Sequence, residues 1–251
     1  MADLIKDGLQ TTDAEVYSFL LIGQSNMAGR GDFGEVEPIK NKQCLMLRMG
    51  RWQTMSEPIN PDRKILEGKT HSGISLGASF ANYLAETTGQ KIGLIPCADG
   101  GTRLSQWMPG EILYDHAVMM TKLALRTSKL AGILWHQGES DCNEQALVDS
   151  YQERFLTMIT SLRRDLGAED VPVIIGELSE KIDIERLGRG VRLAQMNENF
   201  HEIAKVLPKC AVVSSADLTL KADNLHFNSE SLREFGLRYA KTYEPLSIIG
   251  K

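Results

Sequence analysis

Phe19–Leu–Leu–Ile–Gly–Gln–Ser–Asn–Met–Ala–Gly–Arg–Gly31 decides how the rest of this chain reads. The apolar, β-prone residues from Val16 to Ile22 predict a strand buried on both faces, as in a parallel sheet. Gly23 permits a tight turn at its end. Ser25 then falls where the strand gives way to a short helix or turn, so its hydroxyl and nearby N–H groups can face an incoming anion. A serine nucleophile needs that placement. Serine and asparagine after a strand also cap helices, and this segment alone leaves both readings open.

Outward from that strand, helical and strand patterns alternate. Cys44–Leu–Met–Leu47 predicts a second strand, and Arg48 to His71, with Pro58 and Pro61, predicts a long surface excursion near the site. Leu76, Phe80, Tyr83 and Leu84 recur at helical spacing between Ser75 and Glu86; Gly89 ends that helix and Lys91 to Cys97 supplies a strand. Tyr114 to Lys129 predicts a helix, Ala131 to Trp135 a strand, and Gln145 to Leu166 one long amphipathic helix closed by Gly167. Val171 to Ile175, a helix from about Arg189 to Lys205, Cys210 to Val213 and a helix from Glu230 to Tyr243 complete the order. The alternation predicts an α/β fold, a parallel sheet with helices on both faces, and ligands at the carboxyl ends of its strands.

At 251 residues the chain can bury one large core, and nothing in it forces a second domain. A formal net charge of −5 gives no basic surface for nucleic acid. No apolar run reaches the length of a membrane span, and the polar start from Met1 to Asp7 lacks a signal-peptide core, so a cytoplasmic location is the default expectation. Cys44, Cys97, Cys142 and Cys210 lie far apart and predict no disulfide scaffold; the first, second and fourth sit in apolar runs as buried thiols. Apolar helix faces look alike whether they meet a core or a partner, so the oligomeric state stays open.

Four strand ends carry unusual polar density: Gly23–Gln–Ser–Asn26, Asp99–Gly–Gly–Thr–Arg–Leu–Ser–Gln–Trp107, His136–Gln–Gly–Glu–Ser–Asp141 and, before the last helix, Asp223–Asn–Leu–His226. A parallel sheet brings such ends together. The groups fit acyl transfer. Ser25 needs a base within reach, His226 can be that base, and either Asp223 or Glu139 can orient the imidazole. The Ser25 and Gly101 N–H groups and the Gln137 amide are candidates for an oxyanion hole. Gln24, Asn26, Arg103, Trp107 and His136 are candidates for substrate contact, with Trp107 read either as a sugar-stacking face or as core. Arg30 and Arg103 read as contacts for substrate oxygens or, in the simpler reading, as partners of loop carboxylates; His136 also reads as a core histidine, and Glu139 and Asp141 as solvated loop charges, while His71 and His116 show no ligand spacing. A metal site from His136, Glu139 and Asp141 would leave the Ser25 turn unexplained, so no metal or other cofactor is expected.

Taken together, Gly23 to Gly29, Gly100 to Trp107, His136 to Glu139 and Asp223 to His226 resemble the sialate O-acetylesterase and acetylxylan esterase group. This is the carbohydrate esterase family 6 branch of the SGNH hydrolases, and its blocks occur in family order along nearly the whole chain. The resemblance implies a three-layer, flavodoxin-like α/β/α sandwich and a serine esterase acting on an acetylated carbohydrate. It implies Ser25 as nucleophile and His226 as base, with the third member at Asp223 in some relatives and Glu139 in others. Gln137 stands where SGNH hydrolases usually carry an asparagine oxyanion donor, which weakens that assignment. A carbohydrate-binding protein without activity, or an esterase for other acyl chains, are the competing readings.

Overall fold

The computed structural model describes residues 16–61, 72–183 and 192–250. Its strands are β1 (Val16–Gly23), β2 (Cys44–Arg48), β3 (Arg51–Thr54), β4 (Lys91–Pro96), β5 (Lys129–His136), β6 (Val173–Gly176) and β7 (Cys210–Val213). They form one seven-stranded sheet in the order β3-β2-β4-β1-β5-β6-β7. Each neighbouring pair is parallel except β2 and β3. The helices are α1 (Ser25–Ala28), α2 (Leu76–Thr88), α3 (Ile112–Ala124), α4 (Gln145–Asp149), α5 (Tyr151–Leu166), α6 (Leu193–Val206) and α7 (Ser229–Tyr243).

Side-chain alternation along β1 divides the core. Leu20 and Ile22 point to one face with Ile133, Trp135 and Ile175, and are covered by α3, α5 and α6 through Ala117, Phe155 and Phe200. Tyr17, Phe19 and Leu21 point to the other, covered by α2 and α7 through Phe80, Phe235 and Tyr239. Phe19 meets Phe80 and Tyr243 edge-on, with centroids 4.8 and 5.0 Å away. The result is the expected three-layer α/β/α sandwich, with β1 buried along its full length because both faces of the sheet are covered.

Three local features differ from the sequence expectation. The excursion after Arg48 begins with an antiparallel edge strand, β3, turned by Met49 and Gly50 at φ 50° and 74°. Trp52 of β3 lies across Gly93, where a Cβ would stand 2.6 Å from its ring. The helix expected over Gln145 to Leu166 breaks at Ser150, whose hydroxyl donates back to the Ala146 carbonyl at 2.7 Å and leaves the backbone at ψ near 0°. The helix expected over Tyr114 to Lys129 runs earlier, from Ile112 to Ala124, and Lys129 already belongs to β5. The part of the excursion over 62–71, which includes His71, and the start of the helix expected from Arg189 lie outside the described residues. Cys44, Cys97 and Cys142 are buried, Cys210 is half-buried, and all four are free thiols.

Candidate active site

The site is built at the carboxyl end of β1, between its two parallel neighbours. The Gln24 N–H donates to the His136 carbonyl of β5 at 2.8 Å, and the Asp99 N–H beyond β4 donates to the Gly23 carbonyl at 2.8 Å. Gly23 sits at φ +130°, where a Cβ would lie 2.2 Å from the His136 oxygen, so a side chain is excluded there. The turn then closes on itself, with the Met27 and Ala28 N–H groups donating to the Gln24 carbonyl. Ser25 opens α1 at 6% exposure, its Cβ 3.5 Å from where a Cβ on Gly100 would stand. The guanidinium of Arg30 also stands beside that glycine, with Nη2 2.7 Å from the same point. Among the described residues the N–H groups of Ser25 and Gly101 have no hydrogen-bond acceptor.

His226 arrives on the loop that precedes α7. Asp223 organises this loop, since its Oδ1 accepts the N–H groups of Leu225 and His226, both at 2.9 Å. Its Oδ2 stands 2.6 Å from His226 Nδ1. Partial burial works to raise the Asp223 carboxyl, but these hydrogen bonds outweigh it and hold the group at about 2. An ionised carboxylate only accepts, so the proton between them resides on Nδ1. In the neutral ring this leaves Nε2 bare, facing Ser25 Oγ at 2.9 Å, where it can accept the hydroxyl proton. The loop is tied down at both ends. Lys221 Nζ donates to the Arg30 carbonyl at 2.8 Å and to Asp32 at 2.7 Å, and the Asn228 side chain caps α7 by accepting the Ser231 N–H at 2.9 Å.

The other expected site residues separate from this line. Glu139 does not reach His226; it is buried beneath Asn26, whose Nδ2 donates to its Oε1 at 2.9 Å, and beside His136, whose Nε2 is 3.6 Å away. His136 itself is fully enclosed and presents nothing to a ligand. Gln137 is also enclosed: Nε2 donates to the Thr102 carbonyl at 3.0 Å and to Asp141 Oδ2 at 2.7 Å, while Oε1 accepts the Tyr151 hydroxyl at 2.8 Å. Both its amide hydrogens are committed, so it is not an oxyanion donor here. Asp141 is no solvated loop charge, because it accepts the Leu104 N–H at 2.9 Å and pairs with Arg154 at 3.2 Å. Trp107 offers no stacking face at 1% exposure. A 3-10 turn over Leu104–Trp107 sends its indole inward against Trp135, and its N–H donates to Thr102 Oγ1 at 3.0 Å.

Arg103, its side chain 41% exposed, pairs with Glu144 at 2.9 Å. Gln24 is buried, with its Oε1 3.5 Å from the Ser140 N–H, and Asn26 is buried as well, so neither points into open space. Gly101, at φ +74°, borders open space, with no atom within 4 Å of a Cβ position. Tyr151, Arg154 and Lys221 were not singled out in the sequence. Tyr151 lies on the buried apolar side of α5 and Arg154 is half-buried on the same helix, and nothing local marks their polar partners.

A hydroxyl, an imidazole and a carboxylate in line at the carboxyl end of a mostly parallel sheet define a serine-type hydrolase. The sequence pattern of the family described as "Carbohydrate esterase, sialic acid-specific acetylesterase" matches residues 15–244. "Probable carbohydrate esterase At4g34215" of Arabidopsis thaliana is 33% identical over 245 residues, spanning 90% of this chain and 89% of that protein. The crystal structure of the Arabidopsis thaliana protein AT4G34215 matches with a TM-score of 0.80 and 30% identity, covering 90% of this chain and 97% of that one. XAC1771, described as a novel carbohydrate acetylesterase from Xanthomonas citri, shares the fold with a TM-score of 0.67 at 20% identity, over 92% of this chain and 56% of that one. This chain belongs to the carbohydrate esterase family of the sialic acid-specific acetylesterases. It is a serine-type carbohydrate acetylesterase, hydrolysing acetyl esters carried on sugar hydroxyls.

Proposed function

We propose that Ser25 is the nucleophile of this acetylesterase, His226 its general base and acid, and Asp223 the group that orients the imidazole. The single observation that carries this is the continuous line from Asp223 Oδ2 through His226 to Ser25 Oγ, with steps of 2.6 and 2.9 Å. Ser25 Oγ attacks the acetyl carbonyl carbon while its proton passes to His226 Nε2. The imidazolium is stabilised by Asp223, which stays ionised throughout. Negative charge collects on the former carbonyl oxygen, and the Ser25 and Gly101 N–H groups are the donors assigned to it. Collapse expels the sugar oxygen, which takes the proton from Nε2 and leaves an acetyl-serine. Water then gives its proton to Nε2 and attacks that ester, acetate departs, and Ser25 Oγ recovers the proton.

The substrate is an acetylated carbohydrate of the acetylxylan or sialate type, and acetate release from panels of both separates them. The assignment of Ser25 is tested by Ser25→Ala. The variant should fold, abolish hydrolysis of an aryl acetate and fail to take up an active-site phosphonate. Wild-type turnover in that variant removes Ser25 from the chemistry.

A further inference from the structure

Asn26 follows Ser25 in the chain, yet its side chain belongs to the opposite end of the polypeptide. Its Nδ2 donates to Glu139 Oε1 at 2.9 Å and reaches the Leu225 carbonyl at 3.4 Å, and its Oδ1 accepts the Phe227 N–H at 3.1 Å. Leu225 and Phe227 are the two residues that flank His226. One amide therefore grips the backbone on both sides of the imidazole while being covalently attached to the serine that the imidazole must meet. Asn26 and Glu139 are each 1% exposed, so water does not compete for these bonds.

We infer that Asn26, held in one orientation by the Glu139 carboxylate, is the positioning residue that sets the distance between His226 and Ser25. This rests on the reading of those two groups as base and nucleophile. A carboxylate accepts and cannot donate. With the amide reversed, Asn26 Oδ1 would face the carboxylate and its NH2 would face the Phe227 N–H, so both contacts would be repulsive. Charge on Glu139 thus selects the amide orientation that holds the loop. Burial opposes that charge, but the adjacent His136 ring, the Glu139 backbone N–H and the Asn26 amide outweigh it and keep the carboxyl below its ordinary range. Glu139 accordingly influences His226 without touching it, and Asp223 alone of the two carboxylates meets the ring.

The test exchanges donor and acceptor across the same gap. Asn26→Ala should lower kcat on an aryl acetate by roughly 10- to 100-fold, because a reacting pair displaced by about 1 Å loses on that order. KM should stay within about threefold, since the amide does not contact substrate. Asn26→Asp alone sets two carboxylates against each other and should be at least as impaired. The double variant Asn26→Asp/Glu139→Gln restores one donor and one acceptor and should recover most of the turnover lost by Asn26→Asp. Folded Asn26→Ala with wild-type kcat overturns the inference. So does a folded double variant no faster than Asn26→Asp, and so does loss of folding in both, which would make the pair a core support instead. An active Ser25→Ala would undo the catalytic reading itself; an inactive Ser25→Ala beside a fully active Asn26→Ala would undo the positioning role alone.

Discussion

Gln137→Met keeps most of the side-chain length and removes the amide, so it separates a structural role from a catalytic one. The bond from Gln137 Nε2 to the Asp141 carboxyl group, at 2.7 Å and beside Arg154, is of the kind worth about 1.5–3 kcal/mol when it involves a charged partner. The bonds with the Thr102 carbonyl and the Tyr151 hydroxyl add about 1 kcal/mol each. Asp141 keeps Leu104 and Arg154, which limits its desolvation cost. The expected loss is therefore about 4 kcal/mol, a large share of the roughly 5–15 kcal/mol that holds a domain together. Urea unfolding with linear extrapolation reads this loss directly. Turnover of an aryl acetate, measured where the variant is fully folded, should fall by less than about tenfold, because an indirect shift is smaller than loss of an oxyanion contact. An oxyanion donor behaves oppositely: its removal costs about 100- to 1,000-fold in kcat with stability unchanged. An unfolding free energy within about 1 kcal/mol of wild type, accompanied by a kcat more than about 100-fold lower, would refute this reasoning.

Asp223→Asn lets an amide donate to Nδ1 and moves the ring proton to Nε2, so kcat should fall by roughly four orders of magnitude with KM little changed. Because Asp223 lies below its ordinary value, at about 2, its stabilising contribution is complete above the unfolded-state pKa near 4 and fades as pH falls through about 2. The difference in urea midpoint between wild type and Asp223→Asn should shrink over that same interval; a difference that widens on acidification contradicts it. Gly23→Ala drives a methyl into the His136 carbonyl at 2.2 Å and should yield little folded protein, checked by soluble expression and circular dichroism. Burial pushes the Cys44, Cys97 and Cys210 thiols up to about 12 and raises Cys142 as well, so a disulfide reagent at pH 8 should titrate the thiols only after unfolding in urea.

The layers of the fold were legible because short-range chemistry marks them. Val16 to Ile22 is an apolar run that only a doubly covered strand explains, and Gly89 and Gly167 close their helices at φ 68° and 60° as their positions suggest. The break at Ser150 was not legible, since Leu147, Tyr151 and Phe155 keep helical spacing across it. The hairpin at Met49–Gly50 was missed for lack of the asparagine or aspartate that marks such turns. At the site, Asp223 and His226 share one short loop, so spacing made Asp223 a candidate partner of the imidazole but left Glu139 beside it as an alternative. Gln137, Glu139 and Asp141 could not be resolved that way. All three leave β5 as polar groups, and their directions depend on Tyr151, Arg154 and Asn26, which approach from other elements.

Ser25 and His226 stand 201 positions apart in the chain, and β1 finds both its parallel neighbours only after β5 has been made. The loop ahead of the last helix is anchored by Asn228, which caps that helix. Ester cleavage is consequently an end-point signal. In a nascent or refolding polypeptide, turnover therefore reports the step at which Ser25 and His226 come together.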